Sequence, residues 1–411
     1  MAPLQKGLFM KVLQINCVNK HGSTGRIVAQ ISALLDENGV ENKVAHGIPR
    51  VDEDSYVINS KLDAHMHSFL SRKLGKQGLY SHIPTMKLIR FIRKYDPDIV
   101  HLHNLHGHYL NYKLLFEFLR KTDVKVVWTL HDCWAVTGKC SHFAKAGCYR
   151  WESDEGCKEC VQLSTYPDST HDASKSNFAL KKKLFSDYPN MTLVTVSEWL
   201  LDVVKRSYLK TNNALHIHNG IDTDIFRPRE SDVRERLGVD GKKMILGVSN
   251  IWNGQKGEKE FIKLSEMMPC DYVIVLVGKN SERVAQKSDR IISVPQTKNQ
   301  TELCELYSAA DVFVSTSIEE SCSLVVIEAL ASGTPAVVYN STGIPENVRD
   351  GCGRVVEIGN IEQMLEAIID IVNSSQPYGE KCVNTVQSKY TVRHMCEGYY
   401  DLYRKVLGEE H

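Results

Sequence analysis

Residues 319–335 have the sequence EESCSLVVIEALASGTP. Glu320 follows an apolar run that predicts a strand, and the apolar stretch from Leu324 onward predicts a helix that contains Glu328. Leu324, Val325 and Ala331, at i−4, i−3 and i+3 from Glu328, are apolar, so a carboxylate buried on that face needs a polar partner. The two hydroxyls of a sugar diol would satisfy it, and a backbone amide is the ordinary alternative. The free N–H groups at the helix start, near Ser323, suit a diphosphate.

The same alternation of short apolar runs and amphipathic stretches extends along the chain and predicts parallel sheets with crossover helices. The predicted strands are residues 9–17, 98–103, 124–130 and 191–196 in one series, and 244–249, 272–278, 291–294, 311–316 and 335–339 in another. Two such series predict an α/β protein with two doubly wound, Rossmann-like domains facing a central cleft that holds the ligand. We expect residues 1–200 to form the first domain and residues 201–390 the second, with a helix in 391–411 packing back on the first.

The composition is that of a globular protein without a nucleic-acid partner. The 411 residues are 42% hydrophobic and 24% charged, and 50 Lys and Arg balance 50 Asp and Glu. Proteins that neutralise many phosphates of a nucleic acid carry a basic excess, so general nucleic-acid binding is not expected. The best apolar run, residues 273–277, is far short of the ~20 residues that span a bilayer. Without a signal-peptide pattern at the N-terminus, we expect a cytoplasmic protein.

Glu320 and Glu328, with seven residues between them, and the EALASGTP that begins at Glu328 resemble the signature of the family-4 retaining glycosyltransferases, which have the GT-B fold. Other motifs of that family occur in the family's order: GSTG at 22–25, VWTLHD at 127–132, VSEW at 196–199, NGID at 219–222, KG at 256–257 and GIPE at 343–346. Residues 104–167 most resemble a bacterial branch that assembles capsular and exopolysaccharide units, including colanic-acid-type transferases.

The resemblance implies a donor site in the second domain. Glu328 would hold the ribose hydroxyls of a nucleotide-sugar, and Glu320 the donor sugar. Lys256 would bind the diphosphate and compensate charge on the leaving nucleotide, together with the helix start at Ser323 and Leu324. The ordinary alternative for Lys256 is a solvated lysine at a helix start.

The chain departs from the family pattern at two places. The family usually has an arginine about five residues before Lys256, where this chain has SNIW at 249–252. Lys279 and Arg283 are the candidates to replace it. Cys322 and Ser323 stand where the family has an aromatic residue and a glycine, so the donor sugar cannot be inferred from the resemblance.

The first domain supplies further candidate contacts. His131 follows a predicted strand, and by resemblance its neutral imidazole lies near the transferred bond, although it could instead fix the following loop. His101, His103 and His106 could form a metal cluster, but the lack of a carboxylate or cysteine at ligand spacing favours a polar wall of the cleft. A glycine-rich segment lets the backbone approach a ligand, with N–H donors at the next helix start. Its residues are Gly22, Ser23, Thr24 and Gly25.

Four cysteines in one stretch are candidate metal ligands. Cys140, Cys148, Cys157 and Cys160 end in a Cys-x2-Cys spacing, and four thiolates would close a tetrahedral structural zinc. Buried free thiols are the alternative.

Residues 61–95 carry the one strong charge asymmetry, with eight Lys or Arg against one Asp. A solvated helix face explains part of this excess, and a surface that lies on anionic lipid explains it better. The candidate contacts of this surface with an acceptor or membrane are Arg72, Lys73, Lys76, Arg90 and Arg93.

The sequence and its resemblance together predict a retaining glycosyltransferase that needs no metal for catalysis. It would move a hexose or related sugar from a UDP- or GDP-sugar to a saccharide, attached to a polyprenyl diphosphate at the inner face of the plasma membrane. A nucleotide-sugar epimerase of the same fold and a non-catalytic partner subunit that binds nucleotide-sugar are the alternatives.

Overall fold

A computed structural model of the chain describes residues 10–47, 55–252 and 256–409. The chain forms two compact units. The first contains the described residues up to His218 and those from Met395 onward, and the second spans Asn219–His394. The first unit extends past the expected boundary after residue 200, because the strand Asn213–His216 pairs at the edge of its sheet.

The described part of the first unit contains seven strands and six α-helices before the chain enters the second unit. The strands are β1 (Lys11–Asn16), β2 (Glu41–His46), β3 (Tyr56–Val57), β4 (Ile99–Leu102), β5 (Lys125–Leu130), β6 (Met191–Thr195) and β7 (Asn213–His216). The helices are α1 (Gly22–Glu37), α2 (Lys61–Leu74), α3 (His82–Tyr95), α4 (Tyr112–Leu119), α5 (Ser174–Phe185) and α6 (Glu198–Arg206).

The first sheet is parallel throughout, in the order β3-β2-β1-β4-β5-β6-β7. Its central strands are fully buried, as expected of strands covered by helices on both faces. The order reverses between β1 and β4, so the loops after these strands diverge and leave a crevice at the carboxyl edge. The segments that carry His103 and His131 follow β4 and β5 at this edge.

The second unit repeats this architecture with six strands. They are β8 (Lys243–Ile251), β9 (Tyr272–Lys279), β10 (Ile291–Val294), β11 (Val312–Ser315), β12 (Ala336–Tyr339) and β13 (Gly353–Val356). Its helices are α7 (Val233–Leu237), α8 (Glu258–Met267), α9 (Ser281–Ala285), α10 (Gln300–Ala309), α11 (Leu324–Ala331), α12 (Ile361–Val372) and α13 (Tyr378–Lys389). The sheet is parallel, in the order β10-β9-β8-β11-β12-β13, and reverses between β8 and β11.

The last helix, α14 (Val392–Val406), returns the chain to the first unit. Tyr399 and Tyr403 are buried on this helix and hydrogen-bond to side chains of β5 and β4. Among the described residues, none of the helices is both long and apolar enough to cross a membrane.

All nine predicted strands have a counterpart, and four strands were missed. The missed strands, β2, β3, β7 and β13, are short or carry polar residues, so their sequences lack a continuous apolar run. The helix expected after the glycine-rich segment begins earlier, at Gly22, so this segment is its first turn.

Candidate functional site

In the second unit, the loops after two adjacent strands bring a lysine and a carboxylate together. Lys256 follows β8 and Glu320 follows β11, the strands between which the sheet order reverses. The Lys256 ammonium nitrogen lies 3.2 Å from Oε1 of Glu320 and 3.5 Å from the hydroxyl of Ser317. Open parallel sheets bind ligands at this reversal point, so the pair lies where a ligand is expected.

Gly257 fixes the backbone of Lys256 beside β11. It has a φ of +80°, and a Cβ atom there would lie 1.9 Å from Oγ1 of Thr316. The same Oγ1 donates a hydrogen bond to the Lys256 carbonyl over 2.9 Å. This close approach of two loops requires a residue without a side chain.

Thr342 holds the Glu320 backbone from the other side. Its Oγ1 accepts from the Glu320 N–H at 3.1 Å and lies 2.8 Å from the Glu320 carbonyl, which also accepts from the N–H of Gly343 at 3.1 Å. Thr342 has a φ of +50°, a conformation that costs a β-branched residue about 1–3 kcal/mol. The surrounding loop therefore enforces this geometry, which orients Glu320.

Glu328 lies on α11 with 6% of its surface exposed. The hydroxyl of Tyr307, from α10, donates to its Oε2 over 3.2 Å. Burial, together with the Glu328 charge, raises the pKa of Tyr307 well above its usual range, so this phenol stays protonated and donates. Tyr307 was missed by the sequence analysis, because nothing in its local pattern distinguishes it from a core tyrosine.

The start of α11 presents polar groups without protein partners. Ser323 precedes the first helical residue, Leu324, and its side chain makes no capping hydrogen bond within the described residues. The hydroxyls of Ser321 and Ser323 are buried, and among the described residues neither has a hydrogen-bond partner. Buried hydroxyls are normally paired, so a bound ligand would satisfy them. Between them, burial raises the pKa of the Cys322 thiol to about 12, which leaves it uncharged at neutral pH.

One of the two candidates for the missing family arginine, Lys279, lies on the strand next to β8. Lys279 ends β9 and pairs with Ile251 of β8 at the same edge, and the N–H of Trp252 donates to its carbonyl. Arg283 lies on α9, just beyond that edge.

In the first unit, His131 follows β5 and contacts His103. Its Nε2 lies 3.1 Å from Nδ1 of His103, whose Nε2 lies 3.2 Å from Oε1 of Gln14 on β1. Burial lowers the pKa of His131 to about 4, although the nearby Asp132 charge acts in the opposite direction. Burial also lowers the pKa of His103 well below its usual range. The neutral imidazole expected at His131 therefore fits this environment.

The other histidines of this region are held by hydrogen bonds. His106 Nε2 lies 2.7 Å from Oδ2 of Asp132, and although burial raises the pKa of Asp132, His106 holds it at about 2. His101 contacts hydroxyls on both ring nitrogens and is fully buried. The expected polar wall is therefore wrong for His101, which lies in the core of the unit. Among the described residues, no group of three or more potential ligands could hold a metal ion.

The glycine-rich segment is explained in part by packing. A Cβ atom on Gly25 would lie 3.1 Å from Cγ2 of Val18 and 3.2 Å from the backbone nitrogen of Lys20, whose N–H donates to the Gly25 carbonyl. Gly22 and Ser23, at the start of α1, are exposed. Thr24 Oγ1 lies 3.4 Å from Nδ2 of Asn16.

The four cysteines expected to bind zinc lie in the long segment between β5 and α5, and they do not form a metal site in the described structure. The sulfur of Cys157 accepts a hydrogen bond from the Gly138 N–H, and the ammonium of Lys181 is nearby and buried. Burial raises the pKa of Cys140 to about 12 and of Cys157 to about 11, which favours thiols. Zinc binding by Cys140, Cys148, Cys157 and Cys160 therefore stays a prediction.

The basic residues of 61–95 lie on the same two helices, α2 and α3, as several exposed apolar side chains. On α2, Leu62, Met66 and Phe69 are four and three residues apart and exposed, and Lys73 continues that face. On α3 the exposed residues are His82, Ile83, Met86, Lys87, Arg90, Arg93 and Lys94. Six of the thirteen exposed large apolar side chains in the described residues lie between Leu62 and Met86. We call this set, with Lys73, Lys76, Lys87 and Arg90, the α2–α3 surface.

Two of the arginines expected on this surface have partners elsewhere. Nε of Arg72 lies 2.8 Å from Oδ2 of Asp168, and the guanidinium of Arg93 lies over the ring of Phe118 at 5.2 Å. Both arginines are nevertheless exposed, as are Lys73, Lys76 and Arg90.

Two parallel-sheet units of this kind, the second with a cation and carboxylates at its reversal point, are the architecture of GT-B proteins. The models of two families cover almost the whole chain: Glycosyltransferase Family 4 matches residues 24–225, and Glycosyl transferases group 1 matches residues 229–390. The chain therefore belongs to the group 1 and family 4 glycosyltransferases with the GT-B fold.

Individual relatives agree with this assignment. The putative colanic acid biosynthesis glycosyl transferase WcaC of Escherichia coli K12 is 26% identical over 426 residues, which span 97% of this chain and 100% of that protein. Sucrose-phosphate synthase of Thermosynechococcus elongatus has a similar structure, with a TM-score of 0.73 at 17% identity, over 98% of this chain and 100% of the other. Anabaena HepE in complex with UDP-glucose gives a TM-score of 0.65 at 14% identity, over 96% and 100%.

Proposed function

We propose that this glycosyltransferase is a retaining, metal-independent enzyme that transfers a hexose from a UDP- or GDP-sugar to a saccharide in bacterial surface polysaccharide synthesis. The observation that carries this proposal is the Lys256–Glu320 pair at the reversal point, beside the unpaired hydroxyls that precede α11. A cation, two buried hydroxyls and a helix start suit a diphosphate, and two nearby carboxylates suit sugar and ribose hydroxyls.

Each group has a separate part in the proposed reaction. Glu328 binds the ribose diol, Tyr307 orients its carboxylate, and Glu320 binds a hydroxyl of the donor sugar. Lys256 and the amides before Leu324 stabilise negative charge as the bond from the anomeric carbon to the phosphate oxygen breaks. The acceptor hydroxyl attacks on the face that the phosphate leaves, and its proton passes to the leaving phosphate oxygen, so the products are a glycoside with retained configuration and a nucleoside diphosphate.

We further propose that the acceptor is attached to a polyprenyl diphosphate and that the α2–α3 surface lies on the anionic inner face of the plasma membrane. Exposed apolar side chains on two helices, followed by lysines and arginines, suit a lipid surface that is apolar inside and anionic at its headgroups. On this proposal the protein is cytoplasmic and peripheral to the membrane.

The test begins with calorimetry of UDP, GDP, UDP-glucose and GDP-mannose, followed by product analysis with a saccharide acceptor and EDTA. We expect one nucleoside diphosphate to bind, and transfer to persist with EDTA and to retain the anomeric configuration. A new sugar epimer formed without acceptor would favour the epimerase alternative, and binding without turnover would favour the partner-subunit alternative. Absence of binding by every nucleotide would overturn the proposal.

A further inference from the structure

Gln14 lies on β1 with its side chain fully buried, and the orientation of its amide is fixed by its neighbours. Nε2 of Gln14 lies 3.1 Å from the carbonyl oxygen of Val28 and 2.8 Å from the hydroxyl of Ser32, both on α1. A carbonyl can only accept a hydrogen bond, so the nitrogen of the amide must face Val28. Oε1 of Gln14 therefore faces His103 and can only accept.

This fixes the proton on His103. Its Nε2, which lies 3.2 Å from Oε1 of Gln14, has to donate. His103 is 1% exposed, with its ring centre 4.0 Å from that of His101, and a buried ring this close to another imidazole, with no carboxylate of the described residues bonded to it, is neutral. A neutral imidazole carries one proton, so Nδ1 of His103 is an acceptor.

The proton on His103 in turn fixes the proton on His131. Nδ1 of His103 faces Nε2 of His131 at 3.1 Å, so Nε2 of His131 has to donate. We propose that Gln14, acting through His103, is a positioning residue that keeps the proton of His131 on Nε2 and leaves Nδ1 as a hydrogen-bond acceptor. Among the described residues, Nδ1 of His131 has no protein hydrogen-bond partner.

An acceptor of this kind selects the group that it binds. A hydroxyl can donate to Nδ1, whereas a phosphate or carboxylate oxygen would be repelled by its lone pair. The assignment of this contact to a sugar hydroxyl rests on the proposed function, while the position of the proton does not.

The experiment is nuclear magnetic resonance of protein labelled with 15N-histidine, using long-range correlations that distinguish protonated from bare ring nitrogens. The signals of His131 are assigned by their loss in His131→Gln. At pH 7.5 we expect a protonated Nε2 and a bare Nδ1 in the wild type. A protonated Nδ1 would overturn the inference, and this measurement needs neither a variant at position 14 nor enzymatic activity.

Two variants then test the role of Gln14. Gln14→Leu removes the acceptor, so both tautomers become populated and the two nitrogen signals of His131 should move towards each other. Ser32→Ala is the matched control, because it removes one partner of Gln14 but keeps the Val28 contact, and its His131 signals should match the wild type. Unchanged signals in folded Gln14→Leu would show that Gln14 does not hold the proton. If the wild type bound no nucleotide, the proposed function would fail while the proton position would still be decided.

Discussion

The hydroxyl of Tyr403 lies 2.6 Å from Nδ1 of His101, a residue 302 positions earlier in the chain. The other ring nitrogen of His101 lies 2.8 Å from Oγ1 of Thr129, which in turn contacts the hydroxyl of Tyr399 at 3.0 Å. Two strands and the last helix of the first unit thus share one buried hydrogen-bond network. Such a network stabilises the fold only while the imidazole is neutral, because a buried charge here would lack a carboxylate partner.

We expect this network to make stability depend on pH. Burial lowers the pKa of His101 to about 3, whereas an unfolded histidine titrates near 6.5. Between about pH 6.5 and pH 3 the unfolded chain binds a proton that the folded chain excludes, so the free energy of unfolding falls as the pH is lowered. The free energy of unfolding should therefore fall by about 2 kcal/mol less in His101→Gln than in the wild type when the pH is lowered from 7 to 5. Urea unfolding at the two pH values measures this difference. Exposed His65→Gln is the control, and equal pH dependence in all three proteins would contradict the prediction.

Glu328→Ala should weaken binding of the nucleoside diphosphate by about 2–3 kcal/mol, because charge-assisted hydrogen bonds to the ribose are lost. Glu328→Gln, which keeps the volume, should show a smaller loss in the same direction. Calorimetry on folded protein gives the affinities. Tyr307→Phe is the matched control, because it removes one contact of the carboxylate but keeps the carboxylate itself. Its loss of affinity should therefore be smaller than that of Glu328→Ala. An unchanged affinity in Glu328→Ala would show that Glu328 does not bind the nucleotide.

Lys256→Met should lower kcat by roughly 100- to 1,000-fold, because it removes positive charge from the leaving diphosphate. The melting temperature should change little, since a pair whose lysine is 39% exposed contributes about 0–1 kcal/mol. The measurement is kcat, from steady-state rates of Lys256→Met, Lys256→Arg and Lys259→Met compared with the wild type. Lys259 is exposed on the next turn and should behave as the wild type. A rate loss shared by Lys259→Met would point to a general effect of charge.

The α2–α3 surface should bind anionic vesicles in a salt-dependent manner. Lys73→Glu with Arg90→Glu should abolish sedimentation with vesicles of phosphatidylglycerol at low salt, since each basic residue near the surface contributes about 1 kcal/mol. Lys259→Glu with Lys263→Glu is the control, because it reverses the same number of charges on exposed lysines of the second unit. Transfer to a short soluble acceptor should persist in both variants. If the wild-type protein does not bind these vesicles at low salt, the α2–α3 surface does not bind anionic lipid.

The central strands of both sheets could be predicted because strands buried on both faces are nearly continuous apolar runs, as in β9. The edge strand β13 could not, because its middle residues, Arg354 and Val355, are exposed and break the pattern. In the candidate site, Lys256, Glu320 and Glu328 were predicted from the family resemblance. Their position near the reversal point follows from the order of the strands.

The contacts that orient these groups were beyond sequence reasoning, since they join residues far apart in the chain. Gln14 and His103 are 89 positions apart, and Thr342 lies 22 positions from Glu320. Cysteine spacing likewise does not reveal that Lys181, from a later helix, lies near the thiol of Cys157.

The return of α14 to the first unit sets an order of events during translation. The second unit, Asn219–His394, is synthesised entirely before Tyr399 and Tyr403 leave the ribosome. Domains generally fold as units while the chain emerges, so the second unit can fold first and the first unit completes its core last. Until then His101 and Thr129 lack their tyrosine partners, and the nascent first unit exposes the polar groups that α14 later covers.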